Sequence, residues 1–557
     1  MNASLGKYQT AVEKSLNHIS RERIIARIWQ KDHTVWRNDP AEIANRLDWL
    51  DCVEVTKKSF SEINSFVDEI RKEGFTNTLL MGMGGSSLAP EVLCLTFGVK
   101  KGYLDLHVLD STQPEAIIEY EKKLDPSKTL YIVSTKSGGT VETMSFMKYF
   151  FTSLSKKLGR EEASKHFIAI TDPGSGLEEI AKKLNFRKIF LNDPNIGGRF
   201  SALSLFGIVP AALIGIEVEK LFVETSKLVN ECKHKEALDN SGAKLGGIIG
   251  SLAKKGVDKL SLIISLQLKY LGGWLEQLIA ESTGKDGKGI LPVDLEPSIP
   301  VNEYGKDRVF VYLKLSGDNF YDKKVSEIKS AGLPLIELEM SNIYQLGAEF
   351  FRWEFATAVV GFVLDVQPFD QPNVESAKVA AHAMMKEYQL KGKLPELKPA
   401  LESEGIKIFG DIKADNLTEA ITSFLSKCEK DRSYIAIQAF LKPDEKTWQQ
   451  LHLLRLKILQ KYKVATTLGY GPRFLHSTGQ LHKGDSGNGF FIQFISDIQN
   501  EVPIPDDAGK NDSSISFGTL IKAQALGDRQ ALIDSKRKVL TIDLGKKVVE
   551  SLSKLNI

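Results

Sequence analysis

Residues 78–87 read Thr78-Leu79-Leu80-Met81-Gly82-Met83-Gly84-Gly85-Ser86-Ser87. The apolar start predicts a buried strand, the glycines predict a tight turn, and a helix is expected from about Ala89. A strand, a glycine-rich turn and a helix in this order are typical of an α/β unit with parallel strands. This stretch therefore predicts an α/β fold.

The same pattern recurs along the chain. Residues 130–133 predict a strand that leads through the hydroxyl-rich loop 134–140 into a helix from Val141. The other predicted strands are 104–109, 167–170, 189–191, 260–265, 309–313, 334–338, 434–440, 464–467 and 490–494. We therefore predict two α/β domains, with an N-terminal helical segment at 1–75. The first domain covers 76–258, including a helical bridge around 205–258, and the second covers 259–557 with an extended C-terminal part.

Composition narrows the possible functions. The 557 residues are 42% hydrophobic and 26% charged, with a formal net charge of +2, so no basic field indicates nucleic-acid binding. The four cysteines form no CxxC, and no His or Cys pair has metal-ligand spacing, so we expect neither a metal nor another cofactor. Without a signal-like start or an apolar run of membrane length, we expect a cytoplasmic protein that does not bind membranes.

The turn at Gly82–Ser87 has three interpretations. With Asp110 at the end of the next strand it resembles a dinucleotide site, although Ser87 stands where a third glycine is expected. Alternatively, backbone amides and the hydroxyls would cradle a phosphate at a helix N-terminus, with Gly85 and Ser86 in contact with it. A structural glycine turn is the third possibility.

The loop from Ser134 to Thr140 favours phosphate binding. A helix cap needs only one hydroxyl, whereas this loop supplies Ser134, Thr135, Ser137 and Thr140 together with Lys136. Hydroxyls, amides and a helix dipole at one point suit a monophosphate. We therefore expect a phosphorylated substrate.

Three charged or titratable residues are candidates for chemistry. Arg199, between Gly198 and Phe200, would stabilise a developing enediolate or a phosphate, or form a surface ion pair. Lys378, on the first turns of a predicted helix, would face the site or the solvent. The third is one of His476 and His482, which share a glycine-bounded segment: it would act as an acid or base, or serve as a capping or core histidine.

These motifs together resemble the glucose-6-phosphate isomerase family. The matching stretches are Gly84-Gly85-Ser86, Ser134 to Thr140, Gly197 to Ser201, Glu281-Ser282-Thr283-Gly284-Lys285 and Phe369 to Lys378. The part after 380 is longer than in most members and resembles the isomerase half of fused transaldolase–glucose-6-phosphate isomerase proteins. In common members a His-Ser-x-Gly-Gln segment follows closely after Glu-Ser-x-Gly-Lys, whereas here His476 to Gln480 comes after Lys378.

The resemblance implies a fold, a reaction and a set of roles. It implies two sugar-isomerase (SIS) domains, each a three-layer sandwich, a homodimer, and interconversion of glucose 6-phosphate and fructose 6-phosphate without a metal or cofactor. Glu281 would move the proton through a cis-enediolate, with Glu296 as the other candidate base, and Arg199 would stabilise the charge. His476 and Lys378 would assist ring opening, and Gln371 would contact the substrate.

Three other functions stay open from the sequence. An isomerase that also accepts mannose 6-phosphate would share every loop, since only the configuration at C2 differs. A non-catalytic sugar-phosphate-binding module would keep the phosphate loops but would not need Glu281, Arg199 and Lys378 together. An NAD-dependent dehydrogenase would use Gly82–Ser87 with Asp110.

Overall fold

The N-terminal segment is mainly helical. The structure is a computed structural model that describes residues 1–557, the side chain of Ala377 excepted. The segment contains β1 (Asn2–Ser4), α1 (Gln9–Arg21), α2 (Ile24–Trp29), α3 (Cys52–Lys57) and α4 (Phe60–Lys72). The strand was not expected from the sequence. It pairs antiparallel along residues 335–337, so the N-terminus completes the edge of a sheet formed much later in the chain.

The first sheet has five parallel strands in the order β3-β2-β4-β5-β6. They are β2 (Asn77–Gly82), β3 (Asp105–Leu109), β4 (Thr129–Ser134), β5 (Phe167–Thr171) and β6 (Lys188–Leu191). The helices between them are α5 (Leu88–Phe97), α6 (Pro114–Lys123), α7 (Val141–Leu158), α8 (Arg160–Lys165) and α9 (Gly176–Lys183). Every residue of β4 and β5 is buried, as expected for a parallel sheet covered by helices on both faces. The chain places β3 on one side of β2 and β4 on the other, which opens a crevice at the carboxyl ends of β2 and β4.

A helical bridge leads to the second sheet. The bridge is α10 (Leu205–Leu213), α11 (Val218–Glu231) and α12 (Ser241–Ala253). The second sheet has the order β1-β10-β9-β7-β8, where all strands except β1 are parallel. Its strands are β7 (Lys259–Ile264), β8 (Leu291–Val293), β9 (Arg308–Leu315) and β10 (Leu335–Met340). The helices that follow in this part are α13 (Leu271–Thr283), α14 (Asp322–Ser330), α15 (Leu346–Leu364) and α16 (Pro372–Lys391).

The chain after α16 forms a third sheet in the order β11-β12-β18-β15-β13-β14. Its strands are β11 (Leu401–Ser403), β12 (Ile406–Phe409), β13 (Tyr434–Ala439), β14 (Ala465–Tyr470), β15 (Gly489–Ile495) and β18 (Lys538–Asp543); β16 (Pro503–Ile504) and β17 (Ile515–Ser516) pair separately. The helices are α17 (Leu417–Leu425), α18 (Glu445–Tyr462), α19 (Gly479–Gly484), α20 (Phe517–Asp534) and α21 (Val548–Lys554). This unit has its own apolar core.

The predicted fold class is confirmed: parallel sheets are flanked by helices in repeated α/β units. The predicted second domain, 259–557, differs from the structure, because its strands divide between two sheets. No strand was predicted between 338 and 434, so β11 and β12, which begin the third sheet, were missed. Among the helices that the structure describes, none is long and apolar enough to cross a membrane.

Candidate active site

Two loops meet at the carboxyl ends of β2 and β4. Gly82 and Ser134 are register partners at the ends of these strands, and the Ser134 hydroxyl donates to the Ser86 carbonyl over 3.0 Å. The turn after β2 also packs against the turn that carries Arg199. A Cβ atom at Gly85 would lie 1.9 Å from the Gly198 carbonyl oxygen, so only glycine permits this approach. Gly85 and Ser134 therefore shape the floor of the crevice by packing and hydrogen bonding.

The loop between β4 and α7 presents the start of a helix. The hydroxyls of Thr135 and Thr140 lie 3.0 Å apart, and the Ser137 hydroxyl accepts from the Gly139 amide over 3.2 Å. Thr140 is the N-cap of α7, but its side chain makes no capping hydrogen bond. The helix therefore begins with its amides and positive dipole end available to an anion.

Lys136 points away from this loop. Its ammonium pairs with Asp172 and donates to the Pro194 carbonyl over 2.7 Å. The pair ties the loop to the carboxyl end of β5. Lys136, expected to contact the phosphate, is thus engaged by protein groups in this structure.

A cavity of about 490 Å³ lies against the start of α7. Four of the predicted site residues are on its wall: Ser137, Thr140, Lys378 and His476. The rest of the wall comes from α7, α16, α19, α20 and the turn around His476, and includes Glu142, His382, Lys483 and Gln524. Lys378 is half-exposed and 3.7 Å from Glu375, so its ammonium can turn towards an anion in the cavity.

His476 is held by a carboxylate from the first unit. Its Nε2 lies 3.0 Å from Oε1 of Glu142, a buried residue on the first turn of α7. Burial alone would raise the pKa of Glu142, but attraction to His476, their hydrogen bond and the charge of Lys378 lower it below its ordinary value. The pair is a carboxylate-oriented imidazole, the arrangement that proteins use for proton transfer.

A second polar cluster surrounds Arg199. The guanidinium is buried and donates to Ser282 Oγ over 2.8 Å, to Gln371 Oε1 over 3.0 Å and to the carbonyls of Pro368 and Asp370. Its Nη1 also lies 3.3 Å from Glu281 Oε1. The structure thus brings Arg199, Glu281 and Gln371 together.

Gln277 links the two clusters. Its Nε2 donates to Glu281 Oε2 over 3.1 Å and to the His476 carbonyl over 2.8 Å. Gln277 and Glu281 are one helical turn apart on α13, so they share a face of the helix. The ring of His476 therefore lies on the cavity wall, and its backbone carbonyl is bonded to Gln277, which also bonds the Glu281 carboxylate.

Lys285 and Glu296 each bond to residues other than Arg199 and Glu281. Lys285, one turn beyond Glu281, donates to Asp370 Oδ1 over 2.6 Å instead of pairing with Glu281. Burial, followed by the charge of Arg199, lowers the pKa of Lys285 to about 8. Glu296 accepts two hydrogen bonds from Arg308, at 2.8 and 3.1 Å, and two from Thr466, at 2.8 and 2.9 Å.

The side chain of Gln480 explains how a late segment reaches the site. Its Oε1 accepts from the amides of Asn373 and Val374 at the start of α16, and its Nε2 donates to the Gly284 carbonyl after α13. The backbones are in close contact, because a Cβ atom at Gly284 would lie 2.3 Å from the Leu481 Cα. The third unit is thereby inserted between the end of α13 and the start of α16.

The structure leaves little space for a dinucleotide at the turn after β2. Asp110, which would bind a ribose, pairs through Oδ2 with Arg473 Nη1 at 2.9 Å. The glycine turn at 84–86 is itself covered by the turn around Arg199. Both features expected of a dinucleotide site are thus occupied by contacts within the chain.

Comparison with known proteins agrees with this geometry. The family model described as "Phosphoglucose isomerase" matches residues 31–290. A probable glucose-6-phosphate isomerase from Methanococcus maripaludis is 28% identical over 424 residues, covering 69% of this chain and 94% of that protein. A glucose-6-phosphate isomerase from Carboxydothermus hydrogenoformans is 26% identical over 386 residues, covering 59% of this chain and 82% of that protein.

This chain is similar to the phosphoglucose isomerases. The crystal structure of a glucose-6-phosphate isomerase from Chlamydia trachomatis shares the fold, with a TM-score of 0.58 at 18% identity over 68% of this chain and 86% of that one. The matched range of the phosphoglucose isomerase model contains Arg199 and Glu281 but ends before Lys378 and His476.

Sequence reasoning missed three residues that complete this phosphoglucose isomerase-like site. They are Glu142, Gln277 and Gln480. Gln277 had a usable signal, since it lies four residues before Glu281 on one helix. Gln480 also had a signal, as the last residue of the matched stretch from His476 to Gln480, whereas Glu142 had none, because its partners are distant in sequence.

Proposed function

We propose that this chain is an aldose–ketose isomerase that interconverts D-glucose 6-phosphate and D-fructose 6-phosphate. The observation that carries the proposal is that Gln277 links two pairs, Glu281 with Arg199 and Glu142 with His476. The second pair lies on the wall of the cavity at the start of α7. A module that only bound sugar phosphates would need the helix N-terminus but neither of these pairs.

The phosphate is bound at the start of α7. Ser137, Thr140 and the first amides of the helix supply donors, and Lys378 supplies a movable positive charge. Binding at this end orients C1 and C2 towards the clusters beyond His476. The phosphate therefore contributes to catalysis by position, without taking part in the proton transfer.

Protons are transferred in two steps, ring opening at His476 and isomerisation at Glu281. In ring opening, Nδ1 of His476 takes the proton of the anomeric hydroxyl, and the Lys378 ammonium gives a proton to the ring oxygen as its bond to C1 breaks. Glu281 then carries the proton between C2 and C1 through a cis-enediolate. Arg199 lies 3.3 Å from the same carboxylate, so negative charge that develops beside Glu281 is within reach of its guanidinium.

The phosphate site is tested by a double substitution. Ser137→Ala with Thr140→Val removes two hydroxyl donors, so KM for glucose 6-phosphate should rise about 10-fold or more while kcat changes less. Ser153→Ala, farther along α7, is the matched control. An unchanged KM would contradict the phosphate site.

A coupled assay with glucose, mannose and fructose 6-phosphates tests the reaction itself. We expect glucose and fructose 6-phosphates to interconvert and free glucose to react poorly. Equal activity on mannose 6-phosphate would extend the function to the second epimer, and no activity on any sugar phosphate would leave a binding module. The cytoplasmic location and the homodimer stay predictions, the second measurable by analytical ultracentrifugation.

A further inference from the structure

Gln524 lies on the cavity wall but belongs to the third α/β unit. It is in the middle of α20, and the residue is 5% exposed. Its Nε2 donates to Glu142 Oε1 over 2.7 Å, and its Oε1 accepts from the Thr112 hydroxyl over 2.8 Å. Thr112 is fully buried in the loop after β3. Both ends of the amide are therefore bonded to the first unit, at the carboxyl edge of its sheet.

These bonds determine how the amide is oriented. With the observed orientation the carboxylate faces a donor, whereas the flipped amide would place Oε1 against a buried carboxylate. In this orientation the Thr112 hydroxyl donates to Oε1, so both ends of the amide are bonded. The amide is thus locked, and a side chain this well fixed can in turn fix what it bonds.

Gln524 bonds to the Glu142 carboxylate, which also holds His476. Glu142 Oε1 receives Gln524 Nε2 at 2.7 Å and faces His476 Nε2 at 3.0 Å. A carboxylate accepts, so the imidazole proton is on Nε2 and Nδ1 of the neutral ring remains an acceptor. The ring orientation and tautomer of His476 therefore depend on where the Glu142 carboxylate lies.

We propose that Gln524 is a positioning residue for His476, acting through Glu142. The inference rests on the proposed function for its catalytic consequence, because ring opening by His476 is part of that function. The orientation of the His476 ring by Gln524 and Glu142 does not depend on which reaction the protein catalyses. The third unit thereby contributes to the chemistry twice, with His476 itself and with the amide that orients its carboxylate partner.

A purely structural role for Gln524 predicts something different. Gln524 also bridges the first and third units, so its loss could lower stability alone. In that case the folded variant would keep its activity and the spectrum of His476. A positioning role requires that both change in the folded protein.

The test uses Gln524→Met, which keeps the side-chain length but removes both polar ends, in the full chain. The control is Gln530→Met, an exposed glutamine of the same helix. We expect kcat/KM for cyclic glucose 6-phosphate to fall about 10- to 100-fold, as misplacement of a proton-transfer group does. Activity on 5-deoxyfructose 6-phosphate, which cannot close its ring, should stay within about twofold of wild type.

Nitrogen-15 NMR of the His476 imidazole provides a readout that needs no substrate. Wild type and Gln530→Met should show the proton on Nε2, and Gln524→Met should show a mixture of tautomers. Thr112→Val should reproduce part of both effects, and Thr112→Ser should retain wild-type behaviour. The Thr112 variants also carry the test if Gln524→Met does not fold.

The outcomes separate this inference from the proposed function. A change in the tautomer without isomerase activity in wild type supports positioning and contradicts the function. An unchanged imidazole spectrum in folded Gln524→Met overturns positioning, whatever the activity. An equal loss on the cyclic and the open-chain substrate overturns it as well.

Discussion

At the scale of single residues, two glutamates that the sequence left as rivals have different surroundings. Glu296 accepts four hydrogen bonds from Arg308 and Thr466, which use its carboxylate fully. Glu281 lies 3.3 Å from Arg199 and 3.1 Å from Gln277, on the side of α13 that faces His476. These contacts favour Glu281 as the base and Glu296 as part of the scaffold.

Replacement of each glutamate by glutamine distinguishes the two. Glu281→Gln should slow deuterium entry at C2 of glucose 6-phosphate in heavy water by about 100-fold or more, because a positioned base contributes that much. Glu296→Gln should retain exchange but lose about 3–5 kcal/mol of stability, because it leaves the buried Arg308 without its partner. Exchange is followed by proton NMR and unfolding by circular dichroism. Loss of exchange in a folded Glu296→Gln protein would reverse the assignment.

At the scale of helices, the packing of α12 on α15 leaves no space for a side chain at Gly246. A Cβ atom at Gly246 would lie 2.3 Å from the Ala356 carbonyl oxygen and 2.8 Å from the Val359 Cβ. The helix therefore needs glycine where propensity alone would favour alanine. This contact joins the bridge to the second unit and so supports the frame that carries Arg199 and Glu281.

Gly246→Ala tests this packing. The added methyl group should destabilise the protein by about 1–3 kcal/mol through overpacking. Gly273→Ala, on α13 where nothing lies within 4 Å of the new Cβ, should instead be neutral or stabilising by up to ~1 kcal/mol. Thermal unfolding of both variants measures the difference. The same direction of change in both would contradict the packing argument.

At the scale of the whole molecule, the buried Arg455 helps to hold the third unit against the second. Arg455 on α18 donates to the carbonyls of Asp294 and Leu295 over 2.9 and 3.1 Å. Around it lie the carboxylates of Asp294 and Glu276, with Arg473 also near. Burial, followed by the Asp294 charge, raises the pKa of Glu276, and burial raises the pKa of Asp294. The junction therefore prefers a protonated carboxyl group.

This preference makes the junction sensitive to pH. A carboxyl whose pKa is raised by folding binds its proton more tightly in the native state, so its contribution to stability falls as pH rises from the ordinary carboxyl range towards the raised value. Glu276→Gln should therefore become more stable relative to wild type as pH increases from about 5 to 8. Melting temperatures across this range, with the exposed Glu179→Gln as control, measure it. A pH-independent difference between Glu276→Gln and wild type would contradict it.

The sequence by itself determined the class of the fold and the local form of the site. Buried strands contain continuous apolar runs, such as 130–133 within β4, and the hydroxyl loop that follows is bounded by a strand and a helix, so both could be recognised from neighbours in the chain. The stretch from Glu281 to Lys285 could be assigned because its residues are on one helix end. The resemblance then supplied roles for Arg199, Lys378 and His476.

Only the tertiary structure decided which strands share a sheet and which distant residues meet. The division of 259–557 into two sheets, the Glu142–His476–Gln524 contacts and the engagement of Lys136 by Asp172 all join residues far apart in sequence. Local patterns of hydrophobicity specify which face of a strand or helix is buried, but not against which partner. Partner choice depends on shape and charge that meet only once the chain has folded, as the glycine contacts at Gly85 and Gly284 illustrate.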